Sequence, residues 1–177
     1  MIDHSTIELF KASIRNIPDF PVKGIQFKDI TTALKQPGLL HSVIDHIAGQ
    51  YAGKGITKVV AIESRGFISG GALACRLGTG FIPVRKPGKL PAQTFRKTYD
   101  LEYGQDVLEI HQDALRSNDV VLLHDDLLAT GGTALAAIDL IKRFGIRQIF
   151  ANFIIELDFL KGREKLFPVE VISMIHF

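Results

Sequence analysis

The chain has few of the features that would place it in a membrane, outside the cell or on a nucleic acid. Its single cysteine, Cys75, cannot form an internal disulfide, and no apolar run approaches the ~20 residues that span a bilayer. Residues 1–17 mix charges into an amphipathic pattern without the apolar core of a signal peptide. The net charge is only +2, which argues against nucleic-acid binding. We therefore expect a cytoplasmic protein with no membrane or nucleic-acid partner.

The composition is that of one packed domain. Hydrophobic residues make up 46% of the 177 positions and charged residues 23%, and we find no internal repeat or low-complexity linker. A single domain over residues 1–177 is therefore expected. Short apolar strands alternate with helical patterns, which predicts an α/β fold with a central parallel sheet flanked by helices. The predicted helices cover 4–15, 37–52, 66–77 and 132–144, and the predicted strands cover 58–62, 80–84, 106–111, 119–124, 147–155 and 169–174.

The most informative segment joins a predicted strand to a predicted helix. Residues 120–134 read VVLLHDDLLATGGTA, an apolar run followed by two carboxylates and a turn of small residues. Asp125 and Asp126 repel each other at the end of a buried strand unless something pairs them. The glycines permit close backbone approach, and free N–H groups at the start of the next helix form an anion site. A solvated turn is the alternative, but carboxylates beside an anion cradle favour a sugar phosphate with a free diol. His124 faces either the core or this site.

A second strand end carries a similar loop. Ser64 and Arg65 follow the apolar run 59–62 and precede the predicted helix 66–77. Ser64 is either a plain helix cap or part of a second anion cradle that includes the Arg65 guanidinium. Both loops should lie at the same edge of the sheet, because ligands bind past the carboxyl ends of parallel strands. Cys75, within the small-residue run of that helix, is expected to pack rather than to react.

A basic segment lies between two apolar patterns. Residues 85–99 include five basic side chains and no acid before Asp100, interrupted by proline and glycine. This pattern predicts a long loop over about 85–105, and long loops in compact domains are often lids or binding elements. The segment is therefore either a solvated surface loop or a lid that binds a polyanion. The spacing of the six histidines indicates no metal site.

Several segments, in order along the chain, resemble type I phosphoribosyltransferases. Residues 120–134 resemble the loop that binds 5-phosphoribosyl 1-diphosphate (PRPP), and the ATGGT form is similar to that of the adenine phosphoribosyltransferases. The other similar segments are 17–21 with 24 and 27–31, 63–67, 84–91, 101–104, 156–157 and 160–163. The resemblance covers nearly all of the chain.

The resemblance implies a fold, a reaction and an assembly. The implied fold has a small N-terminal hood over about 1–35 and a mobile loop over about 85–105. The implied reaction is the purine-salvage conversion of adenine and PRPP to AMP and diphosphate. Mg²⁺ would be carried mainly by PRPP, with no metal held by the protein alone. Family dimers that share active-site residues imply a homodimer.

The resemblance also implies roles for particular residues. Asp125 and Asp126 would hold the ribose hydroxyls, and Glu102 would exchange a proton with the purine. The expected catalytic residues are Glu102, Asp125, Asp126 and Arg65. The residues expected to bind PRPP are Ser64, Arg65, Arg85, Lys86, Lys89, Tyr103, Asp125, Asp126, Ala129, Thr130, Gly131, Gly132 and Thr133. The residues expected to bind adenine are Gln26, Phe27, Arg65 and Leu157.

Two alternative functions remain open. A xanthine phosphoribosyltransferase is one, although its loop tends to carry Asn where Thr130 stands. Enzymes for hypoxanthine and guanine use a lysine that faces O6, and residues 149–155 contain none. A regulator that senses PRPP without turnover is the alternative from another class. Such regulators usually carry a nucleic-acid-binding domain, and the presence of Glu102 and Tyr103 favours catalysis.

Overall fold

The chain divides into two compact units, Met1–Gln50 and Tyr51–Phe177. The structure, a computed structural model, describes residues 4–20, 23–24, 26–100 and 104–177. The expectation of one domain over 1–177, with a hood over about 1–35, stays a prediction.

In its described residues, the first unit contains three helices and a pair of short antiparallel strands. Its elements are α1 (His4–Ser13), β1 (Arg15–Pro18), β2 (Gln26–Asp29), α2 (Thr31–Leu34) and α3 (Pro37–Tyr51), of which α3 ends in the second unit. The strands pair antiparallel, with Arg15 opposite Asp29, and the Arg15 guanidinium lies 2.5 Å from the Asp29 carboxylate. Hydrogen bonds from Thr31 and Arg15 lower the pKa of Asp29 to about 2. Neither strand is among those that the sequence predicts, because two four-residue strands are too short to show a clear alternation.

The second unit contains a parallel sheet. Its elements are β3 (Lys58–Ile62), α4 (Gly66–Leu77), β4 (Gly80–Val84), β5 (Thr94–Asp100), β6 (Gln105–His111), β7 (Val120–Leu128), α5 (Gly132–Lys142), β8 (Gln148–Glu156) and β9 (Glu170–His176), with 3-10 turns at Asp158–Leu160 and Gly162–Leu166. Among the described residues, five strands pair in parallel in the order β4-β3-β7-β8-β9. The predicted parallel α/β sheet is therefore confirmed.

The helices α4 and α5 pack on opposite faces of the sheet. Successive residues of a strand point to opposite faces. Val121 and Leu123 share a buried cluster with the apolar residues of α5, whereas Ala61 and His124 lie beside α4. The helix α4 exposes Cys75, so the expectation that this residue packs was wrong. No helix in the described part of the chain is both long and apolar enough to cross a membrane.

The predicted loop over 85–105 contains a strand. β5 pairs antiparallel with β6 along its whole length. Its inward side chains include Phe95, which meets the ring of Phe144 edge-on at 5.3 Å, and Lys97, whose Nζ lies 2.7 Å from Asp139. Because Lys97 occupies an inward position, polar and apolar residues do not alternate along this strand, and the segment was predicted to be a loop. Arg96 lies 2.6 Å from Glu109, so both basic residues of this strand pair with acidic side chains of the protein itself.

Candidate active site

The site lies where the strand β7 extends beyond the end of its neighbour β3. The register pairs Ala61 of β3 with His124 of β7, and β3 ends at Ile62 while β7 continues to Leu128. A cavity of about 470 Å³ opens at this carboxyl end of the sheet. Of the predicted residues, those that line it are Ser64, Arg65, Lys86, Asp125, Asp126 and Ala129–Thr133. The structure thus brings together the two strand-end loops that the sequence singled out.

One of the two adjacent carboxylates, that of Asp126, pairs with an arginine. Arg65 Nε lies 2.6 Å from Asp126 Oδ2, and the side chain of Asp126 is only 6% exposed. The Asp126 N–H donates to Asp125 Oδ1 at 2.9 Å. Burial raises the pKa of both carboxyl groups, and the charge of Asp126 raises the pKa of Asp125 further. Arg65 opposes this rise, so it supplies the cation that two neighbouring carboxylates require.

A glycine allows the second strand-end loop to approach this pair. A Cβ placed on Gly66 would lie 2.6 Å from Asp125 Oδ1 and 3.2 Å from Asp125 Cα. Any side chain there would push the start of α4 away from β7. Gly66 therefore keeps Ser64 and Arg65 beside the carboxylates. The peptide bond between Glu63 and Ser64 is cis.

The turn before α5 has the geometry of an anion cradle. Gly131 has a φ of 80° and precedes the first residue of the helix. A Cβ on Gly131 would overlap the carbonyl of Gly162, and a Cβ on Gly162 would overlap the carbonyl of Ala129. Two backbones therefore touch with no side chain between them. The first N–H groups of a helix have no acceptor within the helix, so those of α5 can point at an anion.

The basic residues that follow β4 surround one buried carboxylate. Arg85 Nε donates to Glu63 Oε2 at 3.2 Å, the Lys86 N–H donates to the same oxygen at 3.0 Å, and Lys89 Nζ pairs with Oε1. Burial alone would raise the pKa of Glu63, but hydrogen bonds from Lys89, Lys86 and Arg85 lower it to about 2. Lys86 lines the cavity, whereas Arg85 and Lys89 lie beside it against Glu63.

Two further polar residues line the cavity and were not predicted. Lys86 Nζ pairs with the carboxylate of Asp106, and the hydroxyl of Tyr99 donates to the same carboxylate at 3.3 Å. Thr133 Oγ1 donates to the Tyr99 hydroxyl at 3.4 Å. Burial opposes ionisation of Asp106, yet the hydrogen bond from Lys86 keeps its pKa below the usual value. A period-two pattern that placed Tyr99 on the same face as Phe95 would have indicated this position.

His124 faces the core. Its Nδ1 lies 3.0 Å from Asn152 Oδ1, and its Nε2 lies 2.7 Å from Ser69 Oγ. Because the Asn152 amide nitrogen donates to the carbonyl of Ile172 at 3.1 Å, its oxygen accepts from His124 Nδ1–H, and Nε2 accepts from Ser69. Burial lowers the pKa of His124 to about 4. This neutral side chain joins α4, β7 and β8 beneath Asp125.

The residues predicted to contact adenine belong to both units. Gln26 and Phe27 lie on β2 in the first unit, where Gln26 is exposed and the Phe27 ring meets Phe20 edge-on at 5.1 Å. Leu157 follows β8 in the second unit, and its N–H donates to the carbonyl of Leu128 at 2.9 Å. Their contact with a base stays a prediction.

Two residues of the predicted lid lie outside the described part of the chain. These are Glu102, the predicted proton-transfer group, and Tyr103, a predicted PRPP contact. Their roles stay predictions.

One cluster of possible metal ligands lies at the ends of β8 and β9. Among the described residues, Glu156, Asp158 and His176 place ligand atoms within 4.8 Å of one another. However, Arg163 makes a bidentate contact with Glu156, at 2.8 and 2.6 Å, and His176 lies 2.8 Å from Asp158. These partners make the cluster a polar contact at the end of the sheet, in which Arg163 forms the ion pair with Glu156.

Comparisons with known proteins agree with this geometry. The model of the phosphoribosyl transferase domain matches residues 31–166. The chain belongs to the phosphoribosyl transferase family. Within that family, an adenine phosphoribosyltransferase from Phocaeicola vulgatus is 58% identical over 164 residues, which cover 93% of this chain and 94% of that protein.

Solved structures of this family have the same fold. The adenine phosphoribosyltransferase of Thermoanaerobacter pseudethanolicus is 49% identical, with a TM-score of 0.94 and coverage of 97% of this chain and 99% of that one. The enzyme of Giardia lamblia, complexed with 9-deazaadenine, is 45% identical, with a TM-score of 0.93 and coverage of 97% of each chain. The expected phosphoribosyltransferase fold is confirmed.

Proposed function

We propose that this chain converts adenine and PRPP to AMP and diphosphate, a reaction of purine salvage. The observation that carries the proposal is the position of Asp125 and Asp126 beside the anion cradle of residues 129–133, at one end of the sheet. The names of the relatives support adenine as the base, as does the 9-deazaadenine bound to the Giardia lamblia enzyme.

The reaction breaks the bond between C1 of the ribose and diphosphate. Positive charge develops on the ribose and negative charge on the leaving group, so catalysis depends on positioning and electrostatics. Asp125 and Asp126 accept hydrogen bonds from the ribose hydroxyls and stabilise the developing cation. The cradle from Ala129 to Thr133 binds the 5′-phosphate through its N–H groups and hydroxyls.

The leaving diphosphate requires cations. Ser64, Arg65 and Lys86 line the cavity and bind the diphosphate, with Arg85 and Lys89 beside them. The carboxylates of the cavity are the oxygen ligands that Mg²⁺ prefers, but Asp126 is already paired with Arg65, which suits an ion shared with PRPP. Mg²⁺ bound in this way would neutralise part of the diphosphate charge.

The base enters next to the reacting carbon. Glu102 exchanges a proton with the purine, and the lid that carries Glu102 and Tyr103 closes to exclude water. Gln26, Phe27, Arg65 and Leu157 contact adenine. The strand β8 offers no lysine to face an O6 oxygen, which supports adenine over an oxopurine.

We also propose a homodimer in the reducing cytoplasm. The edge strand β4 and the helix α4 expose apolar side chains, with Ile68 50% and Phe81 37% exposed. The Phe67 ring meets the Phe81 ring edge-on, with 5.8 Å between their centres. The Arg85 guanidinium lies 5.9 Å from the centre of the Phe67 ring. This surface could form a two-fold contact that brings Arg85 and Lys89 near the diphosphate site of the partner.

One assay tests the function. Purified protein is incubated with magnesium-PRPP and, separately, with adenine, hypoxanthine, guanine or xanthine, and the nucleotide product is followed by chromatography. We expect adenine to be used roughly a hundredfold or more efficiently than any oxopurine, a difference of about 3 kcal/mol. Comparable use of an oxopurine would contradict the base assignment. PRPP binding without any nucleotide product would indicate a regulator.

A further inference from the structure

Glu63 lies between the two groups of residues assigned to the diphosphate. It directly follows Ile62, the last residue of β3, and precedes Ser64 and Arg65. Its N–H donates to the Val84 carbonyl at 2.9 Å, which ties it to the end of β4. Its side chain is only 9% exposed and also lines the cavity. Neither the sequence motifs nor the proposed reaction gave this carboxylate a role.

The carboxylate collects donors from one short basic segment. Arg85, Lys86 and Lys89 all contact Glu63, through a guanidinium, a backbone N–H and an ammonium group. Charge-assisted hydrogen bonds of this kind are stronger than neutral ones and fix geometry. One buried acid therefore determines where two long, flexible cationic side chains end.

The backbone of the segment also has contacts that do not involve Glu63. Arg85 and Glu109 exchange N–H to carbonyl hydrogen bonds of 2.9 and 2.8 Å, and the Gly88 N–H donates to Glu109 Oε2 at 3.2 Å. Arg85 Nη1 donates to the Lys89 carbonyl at 3.1 Å, which closes the turn. Because these contacts do not involve Glu63, loss of its charge should release the cationic side chains more than the fold of the segment.

We propose that Glu63 is a positioning residue, whose carboxylate holds Arg85 and Lys89 in the arrangement that receives the diphosphate of PRPP. This inference rests on the proposed role of those two cations. Long side chains lose rotamer entropy when they bind an anion, and a preset arrangement removes part of that loss. A carboxylate beside the site could instead compete with the anion for the same cations, and the two effects change the affinity for PRPP in opposite directions.

The test is the steady-state kinetics of Glu63→Gln with magnesium-PRPP and adenine. We expect the KM for PRPP to rise about tenfold, as for one lost charge-assisted hydrogen bond, with kcat changed less than about twofold. Glu63→Asp, which keeps the charge, should recover part of the loss. The combination of Glu63→Gln with Lys89→Ala should raise KM little beyond the larger single effect, because both changes act through one contact.

A matched control removes the charge of another paired glutamate. Glu170→Gln breaks the ion pair with Lys54, 2.5 Å long and outside the cavity lining, and should leave KM unchanged. An unchanged or lowered KM in Glu63→Gln, or fully additive effects with Lys89→Ala, would overturn the positioning role. Thermal unfolding identifies a variant that fails to fold, in which case Glu63→Asp decides, because unchanged kinetics in that shorter acid would also overturn the role. If Arg85→Ala and Lys89→Ala themselves leave KM unchanged, the proposed role of these cations fails instead.

Discussion

At the residue scale, the cavity holds two carboxylates that are costly to ionise. Burial raises the pKa of Asp125 and of Asp126, and the charge of Asp126 raises the pKa of Asp125 further. The Arg65 guanidinium, 2.6 Å from Asp126, offsets part of this cost. Such an arrangement disfavours the empty charged pair and favours a bound group that donates hydrogen bonds or carries positive charge, as a ribose cation does.

We predict that Asp125→Asn and Asp126→Asn each lower kcat roughly a hundredfold or more, because an amide keeps the shape of the carboxylate but not its charge. Circular dichroism should show folded protein in both cases. The exposed Asp113, changed to Asn, serves as the control and should retain full turnover. Near-normal turnover in either site variant would mean that its ribose role is wrongly assigned.

A second prediction concerns His124 and acid. Its pKa is about 4 in the folded protein and 6.5 ordinarily, so the unfolded chain binds more protons between these values. The contribution of His124 to the free energy of unfolding is therefore fully present above about pH 6.5. It decreases by roughly 3 kcal/mol as the pH drops toward 4, because the folded protein must keep this side chain neutral. Raised carboxyl pKa values at Asp125 and Asp126 act in the opposite direction.

Denaturant unfolding of the parent chain and of His124→Leu, measured at several pH values, separates these contributions. The variant retains Asp125 and Asp126 and should lose less of its stability than the parent between pH 6.5 and 4. It should also be less stable at neutral pH, because Ser69 and Asn152 lose their partner. Equal pH slopes in the two proteins would contradict a buried neutral histidine.

At the scale of elements, the contact between Gly131 and Gly162 holds the phosphate loop. We predict that Gly131→Ala lowers the free energy of unfolding by more than Gly53→Ala and raises the KM for PRPP. Both glycines have a φ of 80°, so both changes introduce the same backbone strain of roughly 1 kcal/mol. Only Gly131 would place a Cβ against a carbonyl, since nothing lies within 4 Å of a Cβ on Gly53. Denaturant unfolding and PRPP kinetics are measured for both variants. Equal effects in the two would contradict the prediction, because they would show that the backbone of Gly162 moves and accommodates the added Cβ.

The elements also show which parts of the fold a sequence can predict. The bounds of β3, α4 and β4 match the predicted 58–62, 66–77 and 80–84, because apolar runs there are bounded by glycine or by polar residues. The strand β5 was missed because Lys97 occupies an inward position and pairs with Asp139. A charge at such a position removes the alternation on which strand prediction depends.

The residues of the candidate site also fall into those that the sequence predicts and those that it does not. Asp125, Asp126 and Arg65 lie in contiguous motifs that end strands, so their chemistry is visible in the sequence. Asp106 and Tyr99 meet Lys86 only because β5 and β6 pair and return to the end of β4. Contacts that depend on the pairing of distant segments are not written in any local pattern.

At the scale of the whole molecule, we predict a homodimer with shared sites. Lys89→Ala and Asp125→Asn proteins, each poorly active alone, should regain part of their activity after mixing and exchange of protomers. In a mixed dimer, one site then combines the intact Asp125 of one protomer with the intact Lys89 of the other. The activity of the mixture is compared with that of each variant at the same total concentration. A monomeric mass by light scattering at micromolar concentration, with full activity, would contradict the dimer.

The exposed thiol of Cys75 on α4 makes the assembly accessible to magnetic resonance. Because the sequence contains no other cysteine, one nitroxide label can be attached without removing any residue. In a two-fold dimer the two labels report a single interspin distance, whereas an isolated protomer carries one spin and has no dipolar partner. The same label, lying on the helix that begins beside Arg65, would also register any shift of α4 when PRPP is added.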